Sequence, residues 1–320
     1  MAPLGLLPER FSSNGRGRMK ARQAARGARS WGLIAARLSG CLLAGLFTAT
    51  AVAAADGVQA RLDGGQAVRV GFAEQVPFVV MGPNGSLTGY EVDLLKTVLQ
   101  GMGEKNIKVE AVPTEFGALI PGLMAGRFDV IASDLYIRPD RCKLVAFAEP
   151  THIVNDAVVV RAGNSKNIHS YADIARDASF KLGYLSGGGP IADHAVAEGV
   201  KKSQLVTLPD VASLFAAVKT GRIDGFLNTA ITHRAMLKDA KDPSLEIVEP
   251  FRQAVIDGKP AIGVGSFAFR PADKAFVQKF DKSLLTVLKS DAWVREAAKY
   301  GFARSDIPQG DVTTESLCKG

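Results

Sequence analysis

The chain has little of what metal or nucleophile chemistry requires. Its four histidines, His152, His169, His194 and His233, are scattered over 320 residues with no metal-ligand spacing. No metal and no other cofactor is therefore expected. No serine occupies a G-x-S-x-G elbow, which removes one common route to a nucleophile. The one glycine-rich loop, Ser186-Gly187-Gly188-Gly189-Pro190, lacks the lysine of a phosphate loop, so nucleotide binding is not expected. Basic surface is missing too, despite a formal net charge of +7. All of that excess lies in the first 55 residues, where Arg10, Arg16, Arg18, Lys20, Arg22, Arg26, Arg29 and Arg37 face one acid, Glu9. The remainder sums to zero and gives no footprint for a nucleic acid. After residue 55 there is no low-complexity segment, and no apolar run long enough to cross a membrane.

What residues 1–55 do contain is a secretory layout. A basic Gly/Ala/Ser-rich region precedes an apolar run, Leu38 to Val52, and small residues Ala53-Ala54-Ala55 end it before Asp56. This reads as a cleaved signal peptide, with Met1 or Met19 as the start. Leu38-Ser39-Gly40-Cys41 looks like a lipoprotein box, but Cys41 precedes the apolar run instead of following it. The expectation is export, with cleavage near Ala55. About 265 residues remain, enough for two modest lobes or one large domain. Of three cysteines only Cys142 and Cys318 survive cleavage. In an oxidising compartment that even count reads as one disulfide, or else as two unrelated buried thiols.

Strand and helix signals alternate after residue 66. Val68 to Phe72 reads as a strand, Tyr90 to Gln100 as a helix stopped by Gly101, and Ile107 to Val112 as a strand. Phe116 to Met124 is an apolar helix stopped by Gly126, and Phe128 to Ala132 a strand. The same order recurs: a strand over Lys181 to Leu185, a helix over Ile191 to Glu198, a strand over Gln204 to Leu208, a helix over Val211 to Thr220 and a strand over Ile223 to Leu227. Leu119 to Asp129 is echoed by Leu214 to Asp224, each running apolar helix, glycine, basic residue, apolar residue, aspartate. The chain closes with a strand over Ala261 to Gly265, helices over Asp273 to Leu288 and Ala292 to Tyr300, and a tail. This βαβα pattern predicts an α/β fold with parallel sheets and two similar lobes.

The densest functional signal lies between Arg127 and Arg141. An apolar strand runs into a polar loop, Ser133 to Arg138, and restarts as a helix at Pro139, a residue suited to a first helical position. Tyr136 and Arg141 are thus placed at a strand's C-terminal end, where open α/β sheets bind ligands. A guanidinium there suits a carboxylate.

Order and spelling resemble the solute-binding proteins of polar amino-acid ABC transporters. The matching pieces are Val68-Arg69-Val70-Gly71, Pro77-Phe78, Gly89 to Leu94, Phe116 to Asp129, Arg138-Pro139-Asp140-Arg141, Gly221 to Asp224 and Gly263-Val264-Gly265. The resemblance implies the two-lobe, clamp-like type II periplasmic-binding-protein fold with two crossover strands. It places lobe 1 at 66–155 and 259–310, lobe 2 at 156–258 and a tail at 311–320. It also implies a monomeric periplasmic receptor serving the membrane permease subunits of an importer.

Three departures look like the ectoine and hydroxyectoine branch of that family. Tyr136 stands where a polar residue, usually threonine, is common; Gly187-Gly188-Gly189-Pro190 replaces a Gly-Thr-Thr-like loop; and Thr229, beside Asn228, takes the place of an aspartate that grips an α-ammonium. Arg141-Cys142 and the closing Thr313 to Cys318 also look like that branch. Carried over, Phe78, Phe116 and Tyr136 would box the ligand, and Arg141 would hold its carboxylate with help from N–H groups near Ser133 to Tyr136. Gly188, Gly189, Asn228 and Thr229 would complete the site, with Glu74 or Gln75 facing the ligand. A delocalised amidinium gains from aromatic faces, whereas a compact ammonium needs an anion. Each residue also has a plain reading, Phe78 and Phe116 as core aromatics and the glycine loop as a turn. The competing functions are a polar amino-acid-binding protein and a periplasmic dehydratase, for which Glu74 and His152 would be the candidate acid–base residues. A sensor domain is disfavoured, since nothing after Tyr300 could cross a membrane.

Overall fold

A computed structural model describes residues 57–82, 84–308 and 312–319. The leader, its start codon, Cys41 and the cleavage point lie outside the described residues. Two five-stranded sheets form the frame. In the first, the order is Val109–Pro113, Val68–Phe72, Val130–Ile131, Ala268–Phe269, Ala146–Phe147. In the second it is Leu205–Leu208, Leu182–Leu185, Gly225–Thr229, Asp156–Arg161, Leu245–Ile247. Three parallel strands lead each sheet, and the remaining pairings are antiparallel. Two strands run between them: His152–Val154 pairs antiparallel with Gly263–Gly265. This is the mixed, two-sheet α/β architecture expected of the clamp-like fold.

The internal echo has a physical basis. Asp129 accepts the N–H of Arg69 at 2.9 Å, and its own N–H bonds the Arg69 carbonyl at 2.8 Å. Asp224 does the same with Lys181, at 2.8 Å in both directions. Each aspartate thereby fixes the register at which a new parallel strand begins. The apolar residue before it needs a side-chain-free neighbour. A Cβ on Gly71 would stand 2.3 Å from the Phe128 ring, and one on Gly183 would stand 2.5 Å from Ile223. The motif thus spells one packing solution, used twice.

The helix over Tyr90–Gly101 buries Tyr90, Val92, Leu94, Leu95, Val98 and Leu99. Against the same core pack Phe276, Phe280 and Leu284 of Lys274–Lys289. Phe267, Phe269 and Phe280 meet edge to face at 5.4–5.6 Å, a geometry that adds about 0.5–1.5 kcal/mol per pair beyond area burial. Several expectations need correction. Phe116 to Met124 is a 3-10 turn, Phe116–Ala118, followed by a helix, Leu119–Met124. The glycine-rich segment is partly helical, since the helix opens at Gly189. Sequence reading missed the crossover strand His152–Val154 and the helix Ala230–Ala240. It also missed Val58–Asp63, a helix that precedes residue 66 and tucks Val58 into the core. The tail carries a helix, Thr314–Lys319, and a disulfide joins its Cys318 to Cys142 with 5.7 Å between the Cα atoms.

Candidate ligand-binding site

The parallel strands of both sheets point their C-terminal ends at one cleft. From the first sheet come Gln75 after Val68–Phe72, Phe116 after Val109–Pro113, and Asp134, Tyr136 and Arg141 after Val130–Ile131. From the second come Leu185, Gly188, Pro190 and Ile191 after Leu182–Leu185, with Leu227 and Asn228 on Gly225–Thr229. These residues line a cavity of ≈ 30 Å³. Its position follows the rule that open α/β sheets bind ligands beyond their strands' carboxyl ends.

Arg141 dominates the electrostatics. Its side chain is 8% exposed, and its pKa is pushed down to about 10, chiefly by burial and next by the neighbouring Arg138 cation. The guanidinium donates to the Tyr136 carbonyl at 3.0 Å and, across the cleft, to the Gly187 carbonyl at 2.8 Å. Its Cζ stands 6.0 Å from the Phe116 ring centroid. No carboxylate pairs with it among the described residues. A buried cation satisfied only by two carbonyls retains donors for an anion. Tyr136 Oη and Asn228 Nδ2 are also buried without a hydrogen-bond partner, and both residues line the cavity. Each is a donor suited to an oxygen-bearing guest.

Behind the cavity sits an acid–imidazole network. Asp134 Oδ1 bonds His152 Nε2 at 2.7 Å, and its Oδ2 accepts from Gln75 Nε2 at 3.0 Å. Its backbone N–H donates to Glu91 Oε2 at 3.1 Å. His152 Nδ1 meets Thr151 Oγ1 at 2.9 Å, while that hydroxyl donates to the Gly265 carbonyl. Burial raises the pKa of both Asp134 and Glu91; the Asp134 charge adds to the rise at Glu91, while His152 opposes the rise at Asp134.

A model of bacterial extracellular solute-binding proteins, family 3, matches residues 68–303. The chain belongs to that family. A probable amino-acid ABC transporter periplasmic-binding protein, y4tE of Sinorhizobium fredii, is 34% identical over 252 residues, covering 78% of this chain and 82% of the relative. The ABC transporter arginine-binding protein 1 of Escherichia coli is 26% identical over 229 residues, covering 71% and 86%. Among solved structures, EhuB in complex with hydroxyectoine is 29% identical with a TM-score of 0.69, covering 81% of this chain and 96% of that one. The chain is thus an extracytoplasmic solute-binding protein of the amino-acid ABC type, a transport receptor and not an enzyme. Family members bind small solutes and hand them to membrane permeases, and the periplasmic relatives imply export.

The residues expected to bind ligand do not all meet. Phe116, Tyr136, Arg141, Gly188 and Asn228 line the cavity. Phe78 does not. It lies in the turn where Gln75 and Val79 pair, and it is fully buried against His152 and Phe302, with ring centroids 4.8 and 5.5 Å away. The aromatic walls are therefore two, and Leu185, Pro190, Ile191 and Leu227 supply the other apolar wall residues. Between Glu74 and Gln75, it is Gln75 that faces the cavity. Glu74 accepts from the Met81 N–H and lines an adjoining groove of ≈ 730 Å³. Ser133 ties two strand ends, its Oγ bonding both the N–H and the carbonyl of Ala73. Thr229 caps the helix Ala230–Ala240 by accepting from the Thr232 N–H. Gly189 opens its helix next to the lining residue Gly188. The Asp134 N–H, expected to be free, is taken by Glu91. Sequence reading missed Asp134 itself, whose signal was an acid in the loop after a strand. It also missed Gly187, whose carbonyl meets Arg141. His152, weighed as an acid–base residue, is fully buried behind the cavity.

Proposed function

We propose that this chain captures a compact zwitterion, ectoine or hydroxyectoine, for an ABC importer. One observation carries the reading: a buried Arg141, ion-paired with no carboxylate among the described residues, lines a cleft together with Phe116 and Tyr136, the apolar Leu185, Pro190, Ile191 and Leu227, and the polar Gln75, Asp134 and Asn228. The guanidinium accounts for the ligand's carboxylate. Aromatic faces favour a cation whose charge is spread over N–C–N. The likeness to EhuB supports the choice, and Tyr136 Oη with Asn228 Nδ2 offers donors to further ligand oxygens. In this reading residues 1–55 are removed on export, lobe 1 is 66–155 with 259–310, lobe 2 is 156–258, and the monomer closes over its guest.

A polar amino acid is the second reading, and Asp134 favours it. The cavity has an acid after all, supplied by the first sheet and not by position 229. Calorimetry on exported protein decides between them. Ectoine or hydroxyectoine should bind far more tightly than Gln, His, Arg or Glu. Micromolar or tighter binding of a common amino acid, with none of ectoine, returns the chain to the ordinary amino-acid binders.

A further inference from the structure

The cavity's lining includes two charged side chains, one of each sign. Arg141 and Asp134 both face it, yet they form no ion pair with each other. Two opposite charges held apart on one cavity match a ligand that carries both. Neither is free to collapse onto the other. Arg141 is anchored to the Tyr136 and Gly187 carbonyls, and Asp134 to His152 Nε2 and Gln75 Nε2.

We propose that Asp134 is the residue that recognises the ligand's cation, and that the fixed Asp134–Arg141 pair makes the site select zwitterions over plain carboxylates. The assignment rests on the reading of the chain as a receptor for a small zwitterion, and it holds for an amidinium or an α-ammonium alike. A carboxylate can accept several hydrogen bonds over its two oxygens, so His152 and Gln75 leave capacity for a ligand N–H. The other buried acids nearby, Glu91 and Asp156, are not among the residues lining the cavity, although each keeps one oxygen, Glu91 Oε1 and Asp156 Oδ1, without a hydrogen-bond partner. Glu91 holds the Asp134 N–H, and Asp156 accepts from Tyr171 Oη at 2.5 Å and His194 Nδ1 at 2.7 Å. His152 acts as a positioning residue. Its ring is wedged between Phe78 and Gly265, where a Cβ on residue 265 would stand 2.2 Å from Nε2. The backbone of Asp134 is left-handed, φ 50, a conformation that Asn also tolerates. Asp134→Asn therefore removes charge with the loop shape kept.

The test is calorimetry on exported protein with ectoine, L-arginine and cyclohexanecarboxylate, the last a carboxylate on an apolar ring without a cation. Wild type should prefer a zwitterion to cyclohexanecarboxylate. Asp134→Asn should lose about 30-fold or more in zwitterion affinity, as for one partner of a desolvated charge pair. Its cyclohexanecarboxylate affinity should hold or rise, while Asp156→Asn keeps the wild-type preference. A purely structural role would lower both ligand classes together and leave their ratio unchanged, and that result overturns the proposal. Wild-type preference for cyclohexanecarboxylate over both zwitterions overturns it as well. Binding of L-arginine in place of ectoine overturns only the ectoine reading, and the same ratio, taken on L-arginine, then judges Asp134.

Discussion

Arg141→Ala is the perturbation whose consequences the structure defines best. The guanidinium is almost fully buried, and its two protein partners are backbone carbonyls. Two effects oppose each other in the ligand-free protein. Removing the cation leaves the Tyr136 and Gly187 carbonyls short of a donor, at about 1–3 kcal/mol each if they stay dry. It also relieves the burial of a charge, the same cost that holds the pKa down near 10. The apo unfolding midpoint should therefore shift only modestly. Binding has no such compensation, because the ligand carboxylate would enter the cleft with no counter-charge. Loss of one partner of a desolvated pair costs about 2–5 kcal/mol, which is roughly 30-fold to several thousand-fold in Kd. Arg141→Lys should fall between the two proteins, since it keeps the charge and loses the planar fork. Titration calorimetry with ectoine, paired with thermal unfolding of both apo proteins, separates the effects. Arg141→Ala affinity within threefold of wild type would refute the assignment.

Closure across the cleft can be tested with a methyl group. Gly187 has φ +80, and a Cβ there would stand 2.6 Å from the Gly117 Cα on the opposite side; Gly187→Ala should weaken ligand binding about tenfold or more by calorimetry, through strain of about 1–2 kcal/mol from the left-handed backbone plus the clash. Gly117→Ala, whose Cβ meets Ser186 Oγ at 3.3 Å, should be better tolerated. Reducing Cys142–Cys318, or replacing both residues by serine, should lower stability in urea by up to about 4–5 kcal/mol, because the bridge closes a loop with sequence separation 176; an unchanged midpoint refutes the bond. Asp281 accepts from the Glu149 N–H, and burial, followed by the nearby Glu149 charge, pushes its pKa up to about 7. The folded form therefore holds a proton that the unfolded chain releases near pH 4, so Asp281 erodes stability as pH rises from about 4 to 7. Asp281→Asn should stabilise by about 1 kcal/mol at pH 8 and by nothing below pH 4, a window that unfolding titrations at the two pH values resolve.

How much of this molecule is local chemistry is visible in particular residues. Helix periodicity, glycine stops and the repeated aspartate phrase were enough for two α/β lobes, because each signal is satisfied within one strand–helix unit. Arg141 and Tyr136 were legible for the same reason: a strand, a polar loop and Pro139 place them together within a dozen residues. Phe78 was not, since the direction of its ring depends on a turn and on Phe302, far away in sequence. The charge of the site was misread at Thr229 because the acid came from another element. Asp134 reaches the cavity only through a left-handed loop braced by His152 on a crossover strand and by Glu91 on a helix. Patterning along the chain decided which elements form and which loop carries the buried cation of the cleft. Only the tertiary packing decided which side chains turn into the cleft, because a buried polar group goes where its long-range partners hold it.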